Sequence, residues 1–219
     1  MKNKKWLLIL IILIPSLFWV ILETSTINSY KLHYYGPKKA LAENDTLYHT
    51  VSDSSFLISS KNTNTPAPFK VDTAKYPVYA IMFIKNSYSN DSYRLAGLWE
   101  FLNYKKEKVE HIPFFLVTET TNHIPEIQTN LEKMSSNKNL IFLSLEQPQF
   151  DSLNYLYFKE KPIHIDYSFI ALIDSKRHIR GYYDARYAAE IKRLGDEYKH
   201  LRLKDEKQKL TRSNEIKGN

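Results

Sequence analysis

Residues 165–184 read IDYSFIALIDSKRHIRGYYD, and this stretch decides the fold that the sequence predicts. Its apolar run at Phe169–Ile173 is typical of a strand that is buried on both faces of a sheet. A polar turn at 174–178 and a second strand-like run at 179–183 come next. Two short strands joined by a polar turn predict an antiparallel hairpin.

Three earlier apolar runs, at 78–84, 114–117 and 140–143, also have the length of buried strands. Apolar residues recur at helical spacing between these runs and again after the hairpin, whereas 144–168 is interpreted as a loop. The helical patterns consist of Leu95, Leu98, Trp99 and Leu102 after an N-cap at Asp91 or Ser92; of Ile124, Ile127, Leu131 and Met134; and of Ala188, Ile191, Leu194 or Gly195, Tyr198 and Leu201.

The order βαβαβ, then a β-hairpin and a C-terminal helix, predicts an α/β domain over 76–203. Alternating strands and helices favour right-handed crossovers and parallel strands, and the hairpin adds an antiparallel edge. This order is that of a thioredoxin-like domain with a central mixed sheet and an insertion. A flavodoxin-like fold is the main alternative, but it requires a glycine-rich phosphate loop after the first strand, and residues 85–91 contain no glycine.

Cysteine is absent from all 219 residues. This excludes a disulfide framework, thiol redox chemistry, a thiolate metal site and a lipid-modified N-terminal cysteine. A Ser-His-Asp hydrolase is not indicated either, because no serine lies on the glycine-rich turn that such a nucleophile needs. The composition therefore predicts a protein that is not an enzyme of these classes.

The N-terminus has the pattern of an uncleaved membrane anchor. A basic stub at 1–5 precedes an apolar run at 6–22, which is close to the length of about 20 residues that a membrane-spanning helix needs, with Trp6 and Trp19 suited to the two interfaces. A cleaved signal peptide is the alternative, but no convincing small-x-small cleavage site follows. The lysines predict a cytoplasmic N-terminus and, in a bacterium, a single-pass protein of the inner (cytoplasmic) membrane whose domain lies in the periplasm.

The net charge of +7 does not indicate a nucleic-acid partner. Much of the excess positive charge lies in the N-terminal stub and in 199–217, where acidic residues interrupt the basic ones. No basic face interleaved with aromatic residues is visible in the sequence. Residues 204–219 are expected to form a charged, disordered tail. Residues 23–75 are expected to be an extracytoplasmic connector, rich in turn-forming residues, with an outlying strand at 56–58.

Several of these segments resemble the Sco (SenC) family. The resemblance is strongest at 165–184 and includes Tyr-Gly-Pro at 35–37 and Tyr-His-Thr at 48–50. It implies a membrane-anchored thioredoxin-fold protein of the kind associated with copper delivery to cytochrome c oxidase. It extends over about 31–201.

The same resemblance implies that the copper site of the family is missing. The family pattern Cys-Pro-x-x-Cys-Pro, aligned without gaps, places its two cysteines at Tyr88 and Ser92, and the histidine ligand of the family falls at Tyr167. Serine and neutral tyrosine are poor ligands for soft copper. Copper binding and thiol exchange are therefore not expected, and no catalytic, cofactor-binding or metal-binding residue is assigned.

Two other readings of this region remain open. His164 and Asp166 lie near the lost histidine position and could share a hard or borderline metal ion, or they could be polar loop residues before a strand. Aromatic residues are also enriched there, as expected either for a protein interface or small-ligand groove or for tyrosines that simply fill a site without thiols. These aromatic residues are Tyr88, Tyr93 and Tyr167, joined by Tyr155, Tyr157 and Phe158 from the predicted loop.

The sequence thus supports two hypotheses about function. The preferred one is a non-catalytic, membrane-tethered interaction protein or accessory factor without a cofactor, whose protein partner is a component of respiratory oxidase assembly. The alternative is a metal-binding, copper-handling protein that uses His164 and Asp166 in place of thiols.

Overall fold

A computed structural model describes residues 13–14, 16–17, 32–40, 46–51, 56–60, 63–69, 71–72, 74–85, 92–119, 139–166 and 169–217 of the chain. The chain divides into two compact units, Met1–Lys31 and Leu32–Asn219. The described residues of the first unit are helical. Within the described ranges, no helix has both the length and the apolar character needed to cross a membrane. Most of the predicted anchor at 6–22 lies outside them.

The second unit combines strands with helices. Its helical elements are a 3-10 turn (Ser92–Leu95), α1 (Ala96–Tyr104), α2 (Lys106–Val109), α3 (Gln147–Phe158), α4 (Ile163–Asp166) and α5 (Ala188–Lys217). Its strands are β1 (Lys39–Ala40), β2 (Thr46–Leu47), β3 (Phe56–Ser60), β4 (Thr63–Phe69), β5 (Tyr79–Ile84), β6 (Phe114–Glu119), β7 (Leu140–Leu145), β8 (Phe169–Ile173) and β9 (Ile179–Asp184).

The main sheet has the strand order β7-β6-β5-β8-β9. Strands β5, β6 and β7 are parallel, β8 runs antiparallel to β5, and β9 runs antiparallel to β8. The hairpin predicted from 165–184 is thus confirmed as the antiparallel part of a mixed sheet. With α5 following β9, this is the predicted thioredoxin-like α/β fold.

Strand β5 lies at the centre of the sheet and is buried along its whole length. Because side chains alternate along a strand, its residues divide between two apolar clusters on the two faces. Helices α1, α2 and α5 cover one face, and α3 covers the other. A strand covered on both faces must be apolar throughout, which explains the continuous run that predicted it.

Helix α1 does not have its N-cap at Ser92, one of the two predicted positions, and the other position, Asp91, lies outside the described residues. The 3-10 turn precedes it, and its N-cap is Leu95, which makes no side-chain capping hydrogen bond. Part of the missing cap is supplied from elsewhere in the fold, because the backbone N–H of Leu98 donates to the carbonyl of Ala185 at 3.1 Å. The predicted apolar stripe is correct, since three of its members are buried and the fourth packs against them.

The interpretation of 144–168 as a loop is wrong over 147–158, which forms helix α3. Pro148 lies in the first turn, where its missing N–H costs nothing. The helix buries one face against the sheet because its apolar residues recur at helical spacing. These residues are Phe150, Leu153, Tyr157 and Phe158.

Residues 32–40 and 46–51, called here the N-terminal segment, dock onto the end of the β8–β9 hairpin. The buried guanidinium of Arg180 donates to the carbonyl oxygens of Leu32 at 2.7 Å and His33 at 3.2 Å, and it pairs with the carboxylate of Asp174 at 2.8 Å. Backbone hydrogen bonds link the same segment to 177–179. The compact unit therefore includes residues from Leu32 onward, so part of the predicted connector packs with the sheet.

Strand β3 falls where an outlying strand was predicted, and it pairs with β4 in an antiparallel hairpin. The composition of 63–69 favoured turns, but its backbone is held extended by cross-strand pairing with β3. The predicted helix with Ile124 to Met134 lies outside the described residues.

Helix α5 extends to Lys217, through residues where the sequence analysis expected a disordered tail. Lysine, glutamate, glutamine and leucine are good helix formers, and they dominate 203–210. Arg202 and Glu206 add an ion pair at i,i+4 spacing with an N–O distance of 3.3 Å.

Candidate functional site

The candidate site lies at the edge of the sheet where β5 ends and β8 begins, called here the site edge. The antiparallel register pairs Met82 with Ile170, so the carboxyl end of β5 lies beside the amino end of β8. The chain therefore ends β5 at Ile84 and begins β8 at Phe169 along the same edge of the sheet. We expect Tyr88, Ser92 and Tyr167 to lie at this edge.

The lost ligand positions themselves are only partly described. Tyr88 and Tyr167 lie outside the described residues, and of Ser92 only the backbone is described, at the start of the 3-10 turn. Asp166 ends helix α4, and its side chain is not described. His164 is therefore the predicted candidate whose surroundings are visible.

His164 lies in α4, not in a loop, and packs flat against the first residue of β8. Its ring is stacked on Phe169 with the centroids 3.9 Å apart and the planes 5° from parallel. The edge of the Tyr182 ring approaches it at 5.2 Å, and that of Phe158 at 6.4 Å. This packing fixes the imidazole at the site edge.

The environment of His164 favours the neutral imidazole. Burial lowers its pKa below the ordinary value of 6.5, the nearby ammonium of Lys161 lowers it further, and the carboxylate of Asp184 opposes the two effects. The Nδ1 atom is buried and has no hydrogen-bond partner among the described residues. A neutral ring with one unbonded nitrogen could accept a hydrogen bond or provide one metal ligand.

A complete metal site needs more donors than this. Among the described side chains, no group of three or more histidine, aspartate or glutamate residues is placed to hold a metal ion. Asp166, the proposed second ligand, is not in that set because its side chain is not described. Hard and borderline metals usually take four or more ligands, so His164 alone cannot define such a site.

Beneath the site edge lies a layer of packed aromatic rings centred on Phe83. Its ring centroid is 5.5 Å from those of Phe150 and Tyr157 and 6.2 Å from that of Phe158. Tyr157 and Phe158 are 2% and 1% exposed, so these two residues belong to the core, in line with the reading in which aromatic residues fill the site. Their helical spacing on α3 is the signal that could have placed them there.

The phenol groups in this layer are bonded to one another and to the backbone. The hydroxyl of Tyr182 donates to the carbonyl of Tyr157 at 2.7 Å, and the hydroxyls of Tyr157 and Tyr79 lie 3.3 Å apart. Burial raises the pKa of Tyr157 and of Tyr182 above the ordinary value of 10. These tyrosines are therefore neutral, and they make a rigid apolar support. Tyr182 and Phe150 are not among the residues predicted from the sequence for the site region.

The outer surface near the site edge carries a different kind of tyrosine. Tyr93, in the 3-10 turn, is 55% exposed, and the buried guanidinium of Arg94 lies 5.4 Å from its ring centroid. Tyr155 is equally exposed, but it lies on α3. Exposed tyrosines combine contact area with a hydrogen-bonding tip, as protein interfaces favour.

No protein-family model matches the sequence, and no curated protein is significantly similar to it. Solved structures with a similar fold include a SCO1/SenC family lipoprotein from Bacillus anthracis, at 15% identity and a TM-score of 0.47, with 67% of this chain and 92% of that chain covered. ScoI from Bradyrhizobium japonicum, solved with copper bound, gives 14% identity, a TM-score of 0.42 and coverage of 67% and 98%.

The thioredoxin domain of a thiol-disulfide oxidoreductase from Bacteroides vulgatus is a further match. It gives 14% identity, a TM-score of 0.39 and coverage of 65% of this chain and 96% of that chain. Sco1/SenC family proteins and thioredoxin-like oxidoreductases are thus both among the structural neighbours of this thioredoxin-like chain, which contains no cysteine.

Proposed function

We propose that this chain is a membrane-anchored, non-catalytic interaction protein, a Sco-like thioredoxin-fold domain that acts through protein contacts. The observation that carries the proposal is the absence of cysteine from the whole sequence. Thiol-disulfide exchange requires a thiolate, and Cu(I) prefers soft thiolate and thioether ligands. The chain has the fold without the thiolates that perform this chemistry.

The described surroundings of the site edge are consistent with binding. His164 is packed between aromatic rings, and the phenols beneath it are bonded within the core. The exposed ring of Tyr93 provides contact area beside this rigid support.

The proposed cellular setting comes from the sequence. The apolar run at 6–22 and the lysines before it support a single-pass inner-membrane anchor with the domain in the periplasm. The resemblance of 165–184 to the Sco family supports a component of respiratory oxidase assembly as the partner.

Site-directed photocrosslinking in native membranes tests the proposal. A photoreactive phenylalanine analogue replaces Tyr93 at the site edge in the full chain. The matched control replaces Leu47, which is 56% exposed and lies in β2 near the turn of the β8–β9 hairpin, at the other end of the sheet. We expect a discrete adduct from Tyr93 and none from Leu47. Equal labelling from both positions, or none from Tyr93, would refute an interface at the site edge.

The unbonded Nδ1 of His164 favours one alternative function, metal handling with His164 and Asp166 in place of thiols. Titration of the full chain with Cu(II) and Zn(II) separates the two functions. The proposal predicts no stoichiometric tight binding. Stoichiometric binding that His164→Ala removes, and that His200→Ala on α5 leaves intact, would establish the alternative.

A further inference from the structure

A small groove lies between the helices that cover one face of the sheet, and its floor is apolar. It has a volume of about 160 Å³ and is lined by residues of α1, α2 and α5 and of the turn between α1 and α2. Phe101 and Ile191 are buried at its base, at 3% and 0% exposure, beside Gly195. A cavity of about this size can hold a single ring or a branched aliphatic group.

Gly195 keeps this groove open. A Cβ atom added there would meet its nearest neighbour, the carbonyl oxygen of Lys108, at 3.6 Å, which is an ordinary contact distance. The position therefore tolerates a side chain but has none, and a side chain larger than a methyl group would occupy the groove. The apolar space beside Ile191 and Phe101 exists because residue 195 is glycine.

The rim of the groove is strongly basic. Lys105, Lys108, Lys192 and Lys199 surround it, against the single carboxylate of Asp196. Lys105 is paired with Glu100 at 2.9 Å. The other three lysines form no ion pair within the described part of the chain. The rim thus presents an uncompensated positive charge around an apolar opening.

We propose that this groove binds an acidic peptide segment of a partner protein. One leucine-sized or phenylalanine-sized side chain of the segment enters the apolar space. Aspartate or glutamate residues beside it pair with Lys108, Lys192 and Lys199. The enclosed volume fits one side chain, whereas a lipid acyl chain requires a much longer cleft. A single buried apolar anchor with a charged rim is a common arrangement in protein interfaces.

The groove is separate from the site edge. Phe101 and Lys105 come well after Tyr93 along α1 and the turn that follows it, so about 12 Å of helix or more separates them from Tyr93 at a rise of about 1.5 Å per residue. This inference goes beyond the proposed function and does not depend on it. Photocrosslinking from Tyr93 and peptide binding in the groove can fail independently.

Fluorescence anisotropy with defined peptides tests the inference on the full chain. The probe is a labelled, end-blocked peptide with one leucine among aspartate, glutamate and serine residues. A second peptide has serine in place of the leucine, and a third has lysine in place of every acidic residue. We expect the first to bind, the second to bind at least about tenfold more weakly, and the third not to bind. Added salt should weaken the binding of the first peptide.

Two variants of the chain separate the apolar and the charged contributions. Gly195→Leu fills the groove and keeps the lysines, and the double variant Lys192→Glu with Lys199→Glu keeps the floor and reverses the rim. Each should weaken binding by about tenfold or more. Lys204→Glu changes an exposed lysine of the same helix outside the groove and should bind like the unmodified chain. Because exposed lysines are replaced, the double variant tests the inference even if Gly195→Leu fails to fold.

Several results would overturn the inference. The first is that the acidic leucine peptide does not bind at millimolar concentration, and the second is that the leucine and serine peptides bind equally. The third is that neither the double variant nor a folded Gly195→Leu chain weakens the binding. A last experiment measures binding of the chain to vesicles of phosphatidylglycerol. If the chain binds them but not the peptide, and both groove variants abolish that binding, the groove is a lipid site and not a peptide site.

Discussion

At the scale of single residues, two helical glycines differ in the space around them. A Cβ at Gly97 would lie 2.7 Å from the backbone nitrogen of Ala188, and the backbone of Tyr187 is closer still. Neither of these backbone atoms can move without shifting the start of α5. Gly97 is therefore a point of close approach between α1 and the start of α5, whereas Gly195 has room for a methyl group.

Alanine at these two positions should have opposite effects on the free energy of unfolding. Gly195→Ala should stabilise the chain by about 0.5–1 kcal/mol, because alanine loses less backbone entropy in a helix. Gly97→Ala should destabilise it by about 1–3 kcal/mol through overpacking. Urea unfolding of the full chain measures both values. A stabilising Gly97→Ala would mean that α1 and the start of α5 are not in close contact.

His164 should make stability depend on pH. Burial lowers its folded pKa below the unfolded value of about 6.5, so the unfolded chain binds more protons as the pH falls through that value. The stability present above pH 6.5 is therefore lost progressively as the pH falls toward the folded pKa. We expect His164→Phe, which keeps a ring against Phe169, to reduce this loss between pH 7.5 and pH 5.5, within the range of about 5 to 8 where histidine charge changes.

Thermal unfolding of the two chains across that pH range checks this prediction. His111 also has a pKa lowered by burial and by Lys199, so it contributes a loss of the same sign to both chains. The difference between the two curves therefore reports His164 alone. Parallel curves would show that His164 is not desolvated in the folded chain.

At the scale of elements, the N-terminal segment depends on a buried ion pair. Arg180 and Asp174 are each 6% exposed, and Arg180 also satisfies the carbonyl oxygens of Leu32 and His33. Replacing one partner of a buried pair leaves the other uncompensated. Arg180→Met should therefore cost about 3–5 kcal/mol, and Arg202→Met, which breaks an exposed pair, at most about 1 kcal/mol.

Urea unfolding measures these costs, and hydrogen exchange locates the effect. The amide of Val51 donates to the carbonyl of Arg177 at 2.9 Å, and that of Tyr35 to Ile179 at 3.0 Å. Both amides should lose protection in Arg180→Met, while amides of β5 and β6 retain theirs. Unchanged protection at Tyr35 and Val51 would show that Arg180 does not hold the segment.

Helix α3 and the docking of the N-terminal segment were not predicted from the sequence, and each has its own physical reason. Helix α3 carries Gln147, Asp151 and a buried Asn154, which dilute its apolar stripe, so periodicity alone gave a weak signal. The docking of the N-terminal segment depends on Arg180 bonding a carbonyl 148 positions away in the sequence. No local pattern carries that information.

At the scale of the whole molecule, the central sheet was predictable because its strands are buried on both faces and read as continuous apolar runs. The location of the site edge was also predictable, since strand order alone brings the end of β5 to the start of β8. The packing of His164 was not predictable, because His164 lies on α4 and the Tyr182 ring against it lies on β9, which is separated from α4 along the chain. The fold and the absence of thiol chemistry thus follow from sequence, whereas the detailed surface does not.

We propose that the chain has a Sco-like fold without copper chemistry, because Tyr88, Ser92 and Tyr167 stand at the three ligand positions. Cu(I) titration of the unmodified chain and of the triple variant Tyr88→Cys, Ser92→Cys and Tyr167→His tests it most directly. Two thiolates and an imidazole provide a ligand set that suits Cu(I). We predict no stoichiometric Cu(I) binding by the unmodified chain and tight binding of one ion by the triple variant. Stoichiometric binding by the unmodified chain, or no gain in the triple variant, would contradict the account.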